Sequence, residues 1–564
     1  MQSIFKMAFI LSALFCGQLK AELIQILHTS DMHSFFENSI RNPNIGGYAR
    51  VKKLIDDQKA EALKNGIRSI LLDSGDFMEG TIFYNADRGR RSFNIMNYMG
   101  YDAVVIGNHD FLMGSKELSK IVKEYPPQFK LLSANMKMKN TSFFSPLKKT
   151  VEDLFKINVG GAKVSIIGLT TDDRLYKWRF DQGKIKSPVK VGSKLAKKLK
   201  KNGSADFVFA LTHLGLWADE KLVKKSKDID FVFGGHSHTI LKKPLYFKNK
   251  DGRKIPVVHP GYHGEYLGKI VLDIEKGRPV KLVSYELLPV DTKVEEDITV
   301  KNFVSESRKM IDKLYGKEWL HEVIGHSDVY LLNSWDRLTP WTAFATDAIK
   351  ESVNADIAFH APGFGGADVP PGPVTRESIY NAYSRVFDVN QKEGWHVYYV
   401  DIYGVILKSV IRFALKGQQP LAFSGITFDL VNRDSEELDV DLDWVGNDVL
   451  GGYEDTGSLG GYLGIQSKYR VTNIQVNGES IKSYKRYRVA LPEGIVLGGL
   501  GISGVVKYLL RKISRSKVSI WEALVNKMRE IGTLDSHYGQ GKWSTGKKCL
   551  APCVQNSQFL PLSK

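Results

Sequence analysis

The residues most suited to chemistry are Asn108, His109 and Asp110, which follow a short apolar run at 103–106. The run has three β-branched residues and predicts a buried strand that ends at Gly107. An amide oxygen can bind a divalent cation, and an imidazole can donate a proton or steady an anion. The same three residues after a glycine are also typical of an ordinary turn.

Four further apolar runs, at 23–29, 69–76, 206–211 and 230–233, predict strands with polar residues at or directly after their ends. The candidate ligands there are Asp31, His33, Asp76, His213, His236 and His238. Open α/β sheets place their ligands beyond the carboxyl ends of strands, so we expect these side chains and Asn108 to share one site. Too few cysteines are present for a thiolate metal site, so a metal here must bind His, Asp and Asn.

The two ends of the chain predict an extracytoplasmic protein. Lys6 precedes the apolar run 7–16, which indicates a secretory signal peptide cleaved near Ala21. Lipid attachment at Cys16 is an alternative that the neighbouring sequence matches poorly. No later stretch is long and apolar enough to span a membrane. Cys549 and Cys553 predict a local disulfide in an oxidising compartment.

Length and charge limit the classes of protein. A chain of 564 residues, 43% of them hydrophobic and 25% charged, predicts a soluble protein of two or three domains. The net charge of +17 favours anionic partners such as phosphate esters, nucleic acid or acidic surfaces, although solubility alone also explains it. The sequence has no zinc finger, helix-turn-helix or arginine-rich aromatic groove that would indicate nucleic-acid readout.

The order of the strand-end residues resembles the calcineurin-like metallophosphoesterases. The flanking motifs at 26–33, 46–50, 72–76 and 235–239 are similar to those of the secreted bacterial 5'-nucleotidase and 2',3'-cyclic phosphodiesterase family. The resemblance covers residues 23 to about 290. It implies an α/β protein with a four-layer αββα metallophosphoesterase sandwich, followed by a second, α+β substrate-binding domain.

The resemblance also implies a role for each site residue. Two divalent ions, Zn or Mn, are expected, and a metal-activated water would attack the phosphate ester. Asp76 is expected to bridge both ions, and His109 is expected to stabilise the phosphoryl group without binding metal. The ligands implied for the first ion are Asp31, His33 and His238, and those for the second are Asn108, His213 and His236.

One residue departs from the family pattern beside His109. Many relatives have an aspartate three residues after this histidine, and that aspartate pairs with the ring. Leu112 occupies the position here. We therefore expect His109 to lack its usual carboxylate unless Asp110 or another residue replaces it, which would weaken turnover more than metal binding.

The second half resembles the family's C-terminal domain but has lost its substrate contacts. Gly366 stands where the family has a phosphate-side arginine, and Pro420 and Gly494 stand where it has two base-stacking aromatics. Other aromatic residues could supply a platform from shifted positions; the candidates are Phe364, Phe423 and Tyr453. Base stacking is worth about 1–3 kcal/mol per base, so loss of both faces predicts weak selection among nucleosides.

The predicted organisation is a signal peptide at 1–21, a metallophosphoesterase domain at 22–290, a linking helix at 291–323, a nucleotidase-like domain at 324–545 and a tail with the cysteine pair at 546–564. The predicted function is a periplasmic or secreted dinuclear phosphoesterase for small phosphate esters, with nucleotides as the substrate class that the resemblance implies. The alternatives are a phosphatase for a non-nucleotide ester and a weakly active surface binding protein on the same scaffold.

Overall fold

The computed structural model describes residues 22–40, 42–139, 145–173, 176–181, 183–333, 339–361, 364–386, 393–416, 422–432, 469–499 and 512–539. The signal peptide, Cys16, the cysteine pair, Pro420 and Tyr453 lie outside these residues. No helix in the described part of the chain has the length and apolar character needed to cross a membrane.

The first half contains two large sheets, whose strands are numbered here in chain order. The seven-stranded sheet has the order β15 (Lys281–Pro289), β14 (Tyr266–Ile274), β1 (Glu22–Thr29), β2 (Arg68–Asp73), β3 (Ala103–Val105), β4 (Lys130–Leu132) and β6 (Val151–Glu152). The six-stranded sheet has the order β12 (Leu245–Lys248), β13 (Lys254–Val258), β11 (Phe231–Gly234), β10 (Phe207–His213), β8 (Ala162–Thr170) and β7 (Leu154–Val159). Two short strands, β5 (Met136–Met138) and β9 (Gly183–Ile185), pair separately.

The two sheets pack face to face through apolar side chains. Ile26 and Leu72 of the first sheet share one buried cluster with Phe209 and Phe233 of the second. Both faces of each sheet are covered, so their central strands are almost wholly apolar, as expected for parallel strands inside an α/β protein.

Helices cover the outer face of each sheet. Those packed on the first sheet include Tyr48–Lys64, Arg90–Met99 and Ser115–Glu124, and those on the second are Pro188–Lys201 and Leu216–Lys225. Shorter helices lie at Ile82–Asp87, His109–Phe111, Ser145–Thr150 and Lys177–Arg179. The resulting helix–sheet–sheet–helix arrangement confirms the predicted four-layer sandwich.

A helix at Ile298–Tyr315, followed by a turn of helix at Lys317–Leu320, lies inside the predicted linking segment. Arg308 on this helix contacts the first half through Glu37 Oε2, at 2.7 Å, and the second half through Glu377 Oε1, at 2.9 Å. The helix therefore holds both halves by ion pairs. The exact domain boundaries stay a prediction.

The second half is an α+β unit built on a five-stranded sheet. Its order is β20 (Ala422–Ser424), β17 (Ile357–His360), β24 (Arg486–Pro492), β19 (His396–Tyr403) and β25 (Ser514–Ser519). Two three-stranded sheets accompany it, β18 (Gly372–Thr375) with β16 (Val323–Ser327) and β26 (Thr533–Leu534), and β21 (Ile426–Asn432) with β22 (Tyr469–Val476) and β23 (Glu479–Ser480). Its helices are Pro340–Glu351, Arg376–Ala382, Gly404–Lys416, Glu493–Gly499 and Ile520–Ile531.

Candidate metal centre

The seven candidate ligands lie at the carboxyl ends of five strands. In the first sheet β1, β2 and β3 run parallel side by side, and in the second β10 and β11 do the same. The loops after β1 and β2 are joined by backbone hydrogen bonds from Asp31 N to Gly75 O and from His33 N to Asp76 O, both 2.9 Å. Parallel pairing brings the strand ends to one edge, and these bonds bring the loops together.

Five of the seven residues have a left-handed backbone, which L-residues rarely adopt. Their φ angles lie between 45° and 79°, and the residues are Asp31, His33, Asp76, His236 and His238. Such conformations cost about 1–3 kcal/mol each and persist where the surrounding structure imposes them, often at functional sites. These five candidate ligands are among eleven non-glycine residues with a positive φ in the described part of the chain.

Two glycines allow the loops to approach closely. A Cβ on Gly107 would lie 2.1 Å from Asp76 Oδ1, and one on Gly235 would lie 2.1 Å from Ser30 Oγ. Neither position can hold a side chain without displacing the adjoining loop. The glycine before Asn108 therefore has a packing function beyond ending β3.

The first cluster consists of Asp31, His33 and His238. His238 Nε2 lies 3.0 Å from His33 Nε2 and 3.5 Å from Asp31 Oδ1. Asp31 is fully buried, whereas the His238 side chain is 39% exposed, so the cluster opens to solvent at His238. The arrangement leaves two nitrogens and a carboxylate facing one point.

The second cluster consists of Asp76, His213 and His236, with Asn108 beside it. His213 Nε2 lies 2.9 Å from Asp76 Oδ2, 3.1 Å from Asn108 Oδ1 and 3.2 Å from His236 Nδ1. Asp76 Oδ2 also lies 3.9 Å from His33 Nε2 of the first cluster. One carboxylate thus stands between the two groups, at the position predicted for a bridging ligand.

In two of the histidines Nε2 faces a cluster because a backbone carbonyl fixes Nδ1 on the other side of the ring. His33 Nδ1 is 2.5 Å from Glu79 O, and His213 Nδ1 is 2.6 Å from Ser74 O. A carbonyl accepts the Nδ1 proton and leaves the Nε2 lone pair for a metal, as is usual around ligating histidines.

Burial and neighbouring charges shift the pKa values of the candidate ligands. Burial raises the pKa of Asp31 to about 7, with Asp76 adding to the effect. Burial also lowers the pKa of His236 to about 3, helped by His213. Burial opposes charge on His213 as well, but the Asp76 carboxylate outweighs it and raises the pKa of His213 to about 10. His236 is therefore neutral at neutral pH, the form in which imidazole binds metal, whereas a metal ion at His213 must displace a proton.

These donors fit divalent cations. Within each of the two clusters the ligand atoms lie within 4.8 Å of one another. Sets of imidazole, carboxylate and amide suit Zn²⁺ and Mn²⁺ alike, so the donors leave both ions open.

His109 lies beside the clusters, and its carboxylate partner is Glu79. His109 Nδ1 is 2.5 Å from Glu79 Oε2, and its backbone N–H donates to Asp76 Oδ1 at 2.7 Å. Another residue thus replaces the carboxylate that is missing at Leu112, which is the alternative that the sequence left open. Leu112 is buried in the core, and a side chain from the loop after β2 supplies the charge.

Asp110 does not take that role. Its two carboxylate oxygens accept backbone N–H groups of Gly107, Asp76, Phe77 and Met78 at 2.7–3.1 Å. Asp110 thereby joins the turn after β3 to the loop after β2. The stretch 108–110 is therefore both a structural turn and part of the site.

Arg385, from the second half of the chain, was not predicted. Its guanidinium pairs with Glu79, and Nη1 lies 2.9 Å from His109 Nδ1. Gly365 O and Phe364 O accept two further hydrogen bonds from it, at 2.9 and 3.0 Å. Burial raises the pKa of Glu79 to about 7, against the opposing charge of Arg385. An arginine thus reaches the site, but from position 385 and not from 366.

The one predicted base-stacking position that the structure describes, Gly494, lies in the core and not in an open binding cleft. A Cβ on Gly494 would lie 2.1 Å from the ring of Trp395, so this glycine backs a buried indole. Phe364 and Phe423, the other described candidates, are buried at 3% and 2% exposure. These three aromatic rings are core residues in this structure.

Comparison with known proteins matches both halves of the chain. Residues 24–239 match the calcineurin-like phosphoesterase family, and residues 323–507 match the 5'-nucleotidase C-terminal domain. The chain belongs to the calcineurin-like phosphoesterases that carry a 5'-nucleotidase C-terminal domain. This membership confirms the resemblance and implies divalent metals, for which the two clusters are the candidate sites.

The similarity in sequence to a named relative extends over about half of each protein. The snake venom 5'-nucleotidase of Gloydius brevicauda is 31% identical over 343 residues, which cover 56% of this chain and 56% of that protein. This chain therefore matches only about half the length of that relative.

Two solved structures share the fold over most of the chain. A 5'-nucleotidase precursor from Thermus thermophilus covers 91% of this chain and 97% of its own, with a TM-score of 0.70 and 22% identity. The sulfate thiohydrolase SoxB of Thermus thermophilus covers 91% and 95%, with a TM-score of 0.68 and 16% identity. One architecture thus occurs in proteins named for different substrates.

Proposed function

We propose that this protein is a dinuclear-metal phosphoesterase that hydrolyses small phosphate esters. The observation that carries the proposal is the position of Asp76, whose Oδ2 lies 2.9 Å from His213 Nε2 and 3.9 Å from His33 Nε2. A carboxylate between two ligand groups suits a pair of cations that share one bridge. Family membership supports the same reaction class.

The proposed metal ligands divide as the clusters do. Asp31, His33 and His238 would hold one ion and Asn108, His213 and His236 the other, with Asp76 on both. When bound, two divalent ions supply an activated water and neutralise charge on the phosphoryl oxygens.

His109 is the proposed catalytic side chain outside the ligand set. Its Nε2 lies 3.9 Å from Asp76 Oδ2, so the free edge of the ring faces the clusters. Burial lowers the pKa of His109. A carboxylate that accepts the Nδ1 proton acts against this by stabilising the doubly protonated ring, in which Nε2 also carries a proton, as in other histidine–carboxylate pairs. His109 can then donate a hydrogen bond to the oxygen on which charge develops.

Nucleotides are the proposed substrate class, and a non-nucleotide phosphate ester is the second candidate. The names of the relatives support nucleotides. The buried state of Phe364, Phe423 and Trp395 favours the second candidate, because rings inside a core offer no face to a base. The basic and apolar N-terminal residues support an extracytoplasmic location.

A screen of substrates with defined metal tests the proposal. Purified protein loaded with Mn²⁺ or Zn²⁺ would be assayed on an aryl phosphate, nucleoside monophosphates, 2',3'-cyclic nucleotides and sugar phosphates, each with and without a chelator. We expect chelator-sensitive hydrolysis of at least one class. No hydrolysis with either metal would favour a binding protein on this scaffold.

A further inference from the structure

Glu79 and Arg385 form a buried connection between the second half of the chain and the ring of His109. The Glu79 side chain is fully buried and that of Arg385 is 5% exposed. The three side chains come from the loop after β2, the turn after β3 and the segment after helix Arg376–Ala382. The contact between Arg385 and His109 joins residues that are 276 positions apart in the chain.

The ring of His109 is fixed on several sides. Glu79 and Arg385 contact Nδ1, while the rings of His33 and Tyr176 lie 4.9 and 5.3 Å away, centre to centre. The two aromatic contacts limit where the ring lies but leave it free to turn over, because they do not distinguish the ring nitrogens. Only the polar contacts decide which nitrogen faces the clusters.

Glu79 is itself fixed by Arg385. A carboxylate buried without a counter-charge loses its hydration and tends to become neutral. Arg385 supplies the counter-charge, and the carbonyls of Phe364 and Gly365 hold its guanidinium in place. Adjacent contacts seat this segment on the first half: Asn381 Oδ1 accepts from Ile82 N at 2.8 Å.

We propose that Glu79 is a positioning residue that replaces the carboxylate missing at Leu112, and that Arg385 makes the orientation of His109 depend on docking of the second half. The inference rests on the proposed function of His109. It predicts that a change at either residue lowers turnover through the ring of His109, with little effect on substrate affinity or metal content.

The first test is a double-mutant cycle. Glu79→Gln should lower kcat about 10- to 100-fold, the usual cost of losing a group that orients a site residue, with KM and metal content within about twofold of wild type. In a His109→Ala background the same change should alter kcat by less than about twofold, because the ring through which it acts is gone. An equal loss in both backgrounds would overturn the inference.

Two further variants separate positioning from folding. Glu79→Asp keeps the charge for Arg385 but withdraws the carboxylate from Nδ1, and it should also lower kcat. Glu117→Gln is the matched control, because Glu117 is another buried carboxylate paired with an arginine, Arg90, at 2.6 Å. This control should retain wild-type kcat. Arg385→Lys should reproduce the Glu79→Gln loss and add little to it in the double variant.

A measurement independent of catalysis completes the test. Ring ¹⁵N signals of His109, recorded on Zn²⁺-loaded protein with labelled histidine and assigned with His109→Gln, report which nitrogen carries the proton. Glu79→Gln should shift them and Glu117→Gln should not. Unchanged signals in Glu79→Gln would overturn the inference. If wild type hydrolyses nothing, the proposed function fails, and these signals still decide the role of Glu79.

Discussion

Each half of this chain matches a family model of its own, but the functional residues of the two halves differ in how they are held. In the first half every candidate ligand lies at the end of a strand or shortly after it, and the neighbouring strands of the sheet bring it to the site. In the second half the described aromatic candidates are buried, and the side chain that reaches the site is Arg385. The candidate metal ligands depend on the sheet framework, whereas the candidate substrate contacts lie on connecting segments, which vary more readily.

Replacement of the bridging carboxylate should have the largest effect and tests the first half. Asp76→Asn removes the charge that stands between the clusters, so hydrolysis should fall by more than about 10³-fold, because several kcal/mol of charge stabilisation are lost. Metal content, measured by mass spectrometry of the purified protein, should fall with it. Asp87→Asn is the control, since Asp87 accepts from Arg91 N and contacts neither cluster. Full activity with two metals in Asp76→Asn would refute the bridging assignment.

Removal of the His109 ring should have the next largest effect. His109→Ala should leave two metals per chain and lower kcat about 10²- to 10³-fold, the usual cost of losing one electrostatic donor. The pairing with Glu79 removes the reason, based on Leu112, to expect a smaller loss. A fall to one metal per chain would mean that His109 is a ligand.

A buried histidine of the second half, away from both clusters, should make the stability of the chain depend on pH. Burial lowers the pKa of His360, on β17, to about 3. In the unfolded chain this histidine binds a proton as pH falls through about 6.5, whereas in the folded chain it stays neutral down to about pH 3. The free energy of unfolding is therefore unaffected by His360 above about pH 6.5 and decreases as pH falls from there toward 3. Between pH 7.5 and pH 5 the free energy of unfolding should fall by about 2 kcal/mol more in the wild type than in His360→Leu. Urea unfolding of both proteins at the two pH values measures it, and equal pH dependence would contradict the prediction.

Selection among substrates should show the smallest effect and tests the second half. Adenosine monophosphate, uridine monophosphate and an aryl phosphate should have kcat/KM values within about tenfold, since one decade corresponds to about 1.4 kcal/mol. The reason is that Phe364 and Phe423 are buried and offer no stacking face. A preference of about a hundredfold for one nucleoside monophosphate would mean that a base pocket exists elsewhere in the chain.

The sequence predicted the first half well because its signals are local. His213 ends β10, and His236 and His238 follow β11 closely, so strand prediction alone locates them. Asp76 and Asn108 follow strands in the same way.

The contacts of His109 were not predictable in this way because they are tertiary. Glu79 is 30 residues from His109 and Arg385 is 276 residues from it. The sequence did contain a signal for Glu79. Leu112 stands where the family has a carboxylate, and Glu79 is the first acidic residue after Asp76 that could replace it. No comparable signal marks Arg385, which reaches the site only because the two halves pack together.

The most direct test of the central claim is a metal titration of turnover. Metal-free protein would be titrated with Mn²⁺, and separately with Zn²⁺, while hydrolysis of an aryl phosphate is followed. If both clusters bind metal and Asp76 connects them, activity should rise from the metal-free background and saturate at two equivalents per chain for at least one of the metals. Saturation at one equivalent, or no hydrolysis with either metal, would contradict the dinuclear phosphoesterase.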